Sequence, residues 1–101
     1  MKRFKELDPI LHSQLRLAVI SLLIGCEVAE FTYIREQAGA TAGNLSIQIT
    51  KLKDAGYLEV EKKFRNNYPQ TLCRITPLGK QKFTEYVSSL KDYLSPEGKD
   101  L

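Results

Sequence analysis

Apolar positions along the chain recur first at helical spacing, then in alternation, then at helical spacing again. Leu11, Leu15, Ala18 and Leu22 mark one side of a first helix, and Leu17, Ile20 and Ile24 mark another. Asp8 and Pro9 suit its N-cap and first helical position, and Gly25 its end. A helix apolar nearly all round is buried on more than one side, and in a small domain the extra side suggests a partner chain. A short second helix is predicted from Thr32, with Ile34 and Ala38 inward and Gly39 as terminator. A third runs from Thr41, another N-cap candidate, to Ala55, and Gly56 ends it. The link Gly39-Ala40-Thr41 has the length and the glycine of a helix-turn-helix turn.

After Gly56 the period changes. Tyr57-Leu58-Glu59-Val60-Glu61-Lys62 alternates apolar and charged residues, as a half-buried strand does. Asn66-Asn67-Tyr68-Pro69 reads as a turn or loop cluster, and Thr71 to Ile75 as the returning strand. Thr76-Pro77 then caps a last helix carrying Phe83, Tyr86, Val87, Leu90, Tyr93 and Leu94. The tail from Ser95 onward reads as frayed. The expected fold is mainly α with a small antiparallel hairpin, in the order α-α-α-β-β-α. It is read as a single domain over residues 1–101, its core about 7–94, with the last helix serving dimerisation.

Composition narrows the chemistry. A chain of 101 residues holds one compact core and no large catalytic cleft beside it. Cys26 and Cys73 are too few for a disulfide scaffold or a zinc site, and His12 has no acid or cysteine beside it in sequence. Both cysteines read as core or boundary residues, and His12 as a surface or helix-end histidine. The carboxylates show no motif for acid–base work. No catalytic residue, metal site or cofactor is therefore assigned, and the chain is read as no enzyme. The longest apolar stretch, Leu17 to Ile24, is interrupted by Ser21 and is far short of the about 20 residues that span a membrane. No targeting signal is legible, and the expected location is the cytoplasm.

The net charge of +3 is modest, but its distribution is uneven. Residues 62–74 carry Lys62, Lys63, Arg65 and Arg74 and no acid. That segment is the first pointer to a polyanion. The second is the third helix. Placed on a wheel at about 100° per residue, Leu45, Ile49 and Leu52 face the core. Gly43, Ser46, Ile47, Thr50 and Asp54 lie opposite, with Asn44 and Lys51 at the edge. An ordinary exposed face favours strong helix formers such as Glu, Lys and Gln. This one offers short hydrogen-bonding side chains, which suit a helix in the major groove, while its N-terminal amides attract phosphate. Thr41, Gly43, Asn44, Ser46, Ile47, Thr50 and Lys51 are the candidate reading residues on a recognition helix spanning about 41–55. Lys63, Arg65, Asn66, Asn67 and Tyr68 are the candidate contacts of a wing spanning about 62–70, directed to backbone and minor groove. Arg74 is expected to pair with Glu59 or Glu61 across the hairpin.

The resemblance goes further than architecture. Leu7-Asp8-Pro9-Ile10-Leu11-His12-Ser13, Arg16-Leu17, Phe31-Thr32, Gly43-Asn44-Leu45-Ser46, Leu52-Lys53-Asp54-Ala55-Gly56-Tyr57 and Ile75-Thr76-Pro77-Leu78-Gly79 resemble the small winged helix-turn-helix regulators related to the MarR and ArsR families. The likeness implies a dimeric prokaryotic transcriptional regulator that binds double-stranded DNA in a sequence-specific way. Ile47 stands where a basic residue is expected, a departure bearing on the strength of DNA binding and not on its type. The thiolate pairs of metal-sensing ArsR members are absent, so no metal response is carried over. The expected homodimer seam lies between the first and last helices, through Leu17, Ile20, Ile24, Phe83, Tyr86, Leu90 and Tyr93. The rival reading is a winged helix that docks protein and no DNA; no membrane contact is expected, and no residue points to an effector.

Overall fold

The computed structural model describes residues 3–95. Its elements are α1 (Gln14–Cys26), β1 (Val28–Glu30), α2 (Phe31–Ala38), α3 (Ala42–Asp54), β2 (Leu58–Arg65), β3 (Tyr68–Ile75) and α4 (Pro77–Leu94). The strands form one antiparallel sheet in the order β1-β3-β2. The expected sequence of three helices, hairpin and helix is present, with one strand more than the periodicity foretold.

β1 is that strand. Its three residues pair as Val28↔Arg74, Ala29↔Cys73 and Glu30↔Leu72. Three residues are too few to show alternation, and the extended state here is imposed by a strand far downstream in sequence. The first helix also begins later than its Asp8-Pro9 signal suggests. Asp8 spends its side chain on a local turn, accepting from the Ile10 N–H at 2.8 Å, and its other oxygen accepts from the Tyr57 hydroxyl. The helical ladder starts only where Leu17 N–H reaches the Ser13 carbonyl. α1 runs through Gly25, because the positive-φ residue that ends it is Glu27 (φ 67°), whose N–H closes on the Leu23 carbonyl. The Lys80 ammonium, 2.6 Å from the Glu27 carboxylate, holds that carboxyl below its ordinary pKa. α2 starts at Phe31 directly off β1, so Glu30 and not Thr32 flanks it.

α3 matches its expected caps. The Thr41 hydroxyl accepts from the Asn44 N–H, and Leu45, Ile49 and Leu52 point into the core. The hairpin is longer and its turn tighter than the Asn66–Pro69 cluster implied. Asn66 and Asn67 alone make the turn, both left-handed at φ 51° and 65°, the two-residue type I′ geometry that matches strand twist. Tyr68 and Pro69 are thereby drawn into β3, opposite Arg65 and Phe64. Pro69 is tolerated because β1 pairs only as far along β3 as Leu72, leaving the outer edge open at that point.

At the start of α4 one threonine does three things. The Thr76 hydroxyl accepts from Gly79 N–H at 3.0 Å and donates to the Gly56 carbonyl at 2.6 Å, and Thr76 N–H donates to the Tyr57 carbonyl at 3.1 Å. A Cβ on Gly79 would lie 2.1 Å from the Tyr57 carbonyl oxygen. The helix can dock this closely only with a bare α-carbon there. Ser95, expected to fray, is buried and its carbonyl accepts from Arg3; the remainder of the expected frayed tail lies outside the described residues.

The core gathers Leu11, Val19, Ile20, Leu23, Ile34, Leu45, Leu52, Leu58 and Cys73 at its centre. Leu58, Val60, Cys73 and Ile75 form the sheet's inner face against the helices. Burial pushes the Cys73 thiol up to about 11, whereas Cys26 lies exposed at the end of α1. Because the thiolate is the nucleophile, native protein at pH 8 is expected to release one equivalent of thiol to Ellman's reagent, from Cys26. The second equivalent should appear only with denaturant. Two fast thiols would mean that the sheet does not close over Cys73.

The described residues span 56 × 25 × 21 Å, with a radius of gyration of 15.4 Å. A compact chain of this length has about 13 Å.

Candidate nucleic-acid interface

The outer ridge of α3 is built by its caps and its period. Thr41 fixes the first turn, and the inward Leu45–Ile49–Leu52 stripe turns Gly43, Ser46, Ile47, Thr50 and Lys51 outward, all exposed together with Asn44. Ile47 is 57% exposed and so does not pack within this chain. Thr50 donates its hydroxyl to the Ser46 carbonyl at 3.0 Å, which leaves its oxygen lone pairs and methyl facing out. Beyond its own helical backbone and chain neighbours, Gly43 has no heavy atom within 4 Å of where a Cβ would stand. Basic residues Lys51 and Lys53 lie in the last turn.

Register sorts the wing into two faces, since directly opposed residues share a side. Lys63, Arg65, Tyr68 and Gln70 lie on one face; Lys62, Phe64, Pro69 and Thr71 lie on the other, which continues the core side of the sheet. Three of the expected wing contacts, Lys63, Arg65 and Tyr68, are thus brought together, and Asn66 and Asn67 form the tip between the faces. Lys63 also lies 3.6 Å from the Glu61 carboxylate, both ends exposed. Arg74 stands opposite Glu59 in register, but no ion pair joins it to Glu59 or Glu61 among the described residues.

Three further residues near this surface go unnoticed in the sequence. Phe64, at 80% exposure, is a large apolar ring near the wing tip. Gln48 donates from Nε2 to Asn44 Oδ1 at 3.1 Å, and Arg16 donates to Gln48 Oε1. The spacing of Asn44 and Gln48, one turn apart, is legible as a possible side-chain pair. The arrival of Arg16 from α1 is not, because only tertiary packing brings it there.

The residues expected at a dimer seam divide. Ile20 is fully buried and Tyr86 nearly so, both inside this chain's own core, and the Tyr86 hydroxyl lies 3.0 Å from His12 Nδ1. Leu17, Phe83 and Leu90 are half-buried, while Ile24 and Tyr93 are exposed. Tyr93 donates to the Lys5 carbonyl and its ring lies 5.0 Å from that of Phe4. Among the described residues no group of three potential ligands could hold a metal ion, and no helix is long and apolar enough to cross a membrane.

This geometry has relatives. The uncharacterized protein MJ0432 of Methanocaldococcus jannaschii is 33% identical over 78 residues, covering 77% of this chain and 85% of that protein. The structure of a transcriptional regulator homologue from Pyrococcus horikoshii superposes with a TM-score of 0.79 at 29% identity, over 84% of each chain. A MarR-family transcriptional regulator from Silicibacter pomeroyi shares the fold at a TM-score of 0.64 and 14% identity, over 80% of this chain and 53% of its own. Residues 15–94 match the winged helix DNA-binding domain family, a span that runs from α1 through α3 and the hairpin to the end of α4. With that match and this arrangement of helices and hairpin, the chain belongs to the winged helix DNA-binding domain family.

Proposed function

We propose that the chain is one winged-helix domain acting as a homodimeric, sequence-specific transcriptional regulator of duplex DNA. α3 enters the major groove and reads bases through Asn44, Ser46, Ile47 and Thr50. Gly43 allows close approach, while Thr41, the α3 N-terminal amides and Lys51 meet phosphate. Lys63, Arg65, Asn66, Asn67 and Tyr68 of the wing meet backbone and minor groove. The observation that carries this reading is the exposed ridge of short polar side chains, with Ile47 among them, on a helix whose other face is sealed in the core. Ile47 can meet a thymine methyl there. The regulator role finds support in the Pyrococcus relative, described as a transcriptional regulator homologue.

Selection of bound duplexes from a random pool tests the proposal, with a two-fold symmetric motif as the expected result. The exposed rings of Phe64 and Tyr68 favour the rival reading of a protein-docking wing. Salt separates the two, because binding to phosphate weakens steeply with ionic strength and apolar docking does not. No enrichment at low salt would decide for the rival.

The wing and the helix should also fail differently. Arg65→Ala or Lys63→Ala is expected to weaken binding about equally on all sequences and to shallow the salt slope by about one unit for each phosphate no longer neutralised. Ser46→Ala or Thr50→Ala should instead change base preference at particular positions, at about 1 to 3 kcal/mol for each well-formed hydrogen-bonded pair. Binding to a small set of duplexes at two salt concentrations reads both. Identical behaviour of the two groups would refute this division of labour.

A further inference from the structure

Asn44 has a primary amide that can offer the groove either an acceptor or a donor, and the two choices read different base edges. The structure determines which one it offers. Arg16 has donors only. Its Nε is held by the Ile10 carbonyl at 2.6 Å and its Nη2 by the Pro9 carbonyl at 3.4 Å, so the guanidinium is clamped to the turn before α1. Its Nη1 meets Gln48, which can answer only with Oε1. Gln48 must then turn Nε2 toward Asn44, and Asn44 must receive it on Oδ1, at 3.1 Å. Only one arrangement of the two amides satisfies all three groups. The Nδ2 amine of Asn44 is left outward on an exposed residue, at the first turn of α3 where its backbone N–H is already taken by Thr41.

We propose that the Arg16–Gln48 pair sets the base specificity of this protein by fixing Asn44 as a hydrogen-bond donor. The inference rests on the proposed reading of α3 as the recognition helix. A donor at that point selects an acceptor-only major-groove edge, O6 and N7 of guanine or O4 of thymine. It disfavours cytosine, whose one polar group there is the N4 amine, and leaves adenine only N7 to accept; both exocyclic amines call for the carbonyl oxygen, which is turned toward Gln48. Gln48 and Arg16 are positioning residues in this scheme, and neither touches DNA.

Gln48→Glu tests it. The carboxylate still accepts from Arg16 but has no proton to give, so Asn44 must rotate its amine inward and present its oxygen to the groove. Wild type and Q48E are each used to select from a duplex pool randomised over the site, and Asn44→Ala identifies the base pair that Asn44 reads. The expected result is a preference of about ten-fold for guanine or thymine over cytosine at that position of the contacted strand in the wild type, exchanged for cytosine or adenine in Q48E and absent in N44A. A Q48E protein that merely loses the preference, or keeps it, overturns the proposal. Thermal melting shows whether Q48E is folded. If it is not, Asn44→Asp, at an exposed position, asks the same question, since it offers the groove acceptors only: retention of the guanine or thymine preference overturns the proposal, and its exchange supports it. A wild type that selects no duplex at all overturns the regulator reading itself, an outcome distinct from normal selection with no swap.

Discussion

Gly79→Ala is expected to destabilise the protein by about 3 kcal/mol, the upper part of the range for overpacking a closed site. In a domain of this size that is a fall in melting temperature of about 15 °C. The added methyl would stand 2.1 Å from the Tyr57 carbonyl oxygen, a backbone atom that cannot rotate away, and 3.0 Å from the Ile75 side chain. Relief requires α4 to lift off the α3–β2 link, which breaks the Thr76 hydrogen bonds to Gly56 and Tyr57. The same substitution at Gly43 has the opposite sign. Space there is open, so alanine gains helix propensity, at most about 1 kcal/mol. Thermal unfolding followed by circular dichroism measures both. A Gly79→Ala protein that melts within a degree or two of the wild type would show that α4 does not dock on Tyr57 as described.

Ile24→Glu is the corresponding test of assembly. Ile24 is 37% exposed on α1 beside half-buried Leu17, so a carboxylate there reaches water in the single chain and the fold survives. In the proposed homodimer, each copy would carry that charge into an apolar seam, where an unpaired charge is costly. The variant is expected to sediment as a monomer at micromolar concentration. Its affinity for a two-half-site duplex should fall by a factor on the order of 10² to 10⁴, because the second half-site is no longer linked to the first. Ile20 and Tyr86 are poor probes, because changing either strikes the core of the single chain. Shortening α4 from Phe83 removes Tyr86 as well and has the same defect. A change of base preference like that of Gln48→Glu is not expected here, since the outer ridge of α3 is untouched. If intact protein already sediments as a monomer, the homodimer is wrong; if I24E remains a dimer, the seam lies on another face.

How much of this is legible in the sequence depends on how far each cause lies along the chain. α3 is legible because its cap, its apolar period and its terminating glycine all act within a few residues. The Thr76-Pro77 start of α4 is legible for the same reason. The need for glycine at 79 is not, because its cause is a carbonyl at Tyr57, brought there by the docking of α4. β1 has no pattern of its own and exists through its pairing with β3. Ile20 and Tyr86 show why a seam is hard to read: a core stripe and an interface stripe have the same spacing, and only the observed burial separates them. Gln48 escapes notice because glutamine on a helix flank is ordinary until Arg16 is seen to orient it. The wing's charges are legible, but their division into two faces requires the register, and the register follows from the two-residue turn at Asn66-Asn67.

The 56 Å length of the described chain against widths of 25 and 21 Å has a hydrodynamic consequence. Friction depends on shape as well as mass, so a rod-like particle diffuses and tumbles more slowly than a sphere of equal weight. A gel-filtration column calibrated with spherical standards will assign this single chain an inflated mass, displaced toward that of a pair. Elution volume therefore biases the count of subunits upward, whereas an equilibrium concentration gradient in the centrifuge depends on buoyant mass alone and counts them correctly.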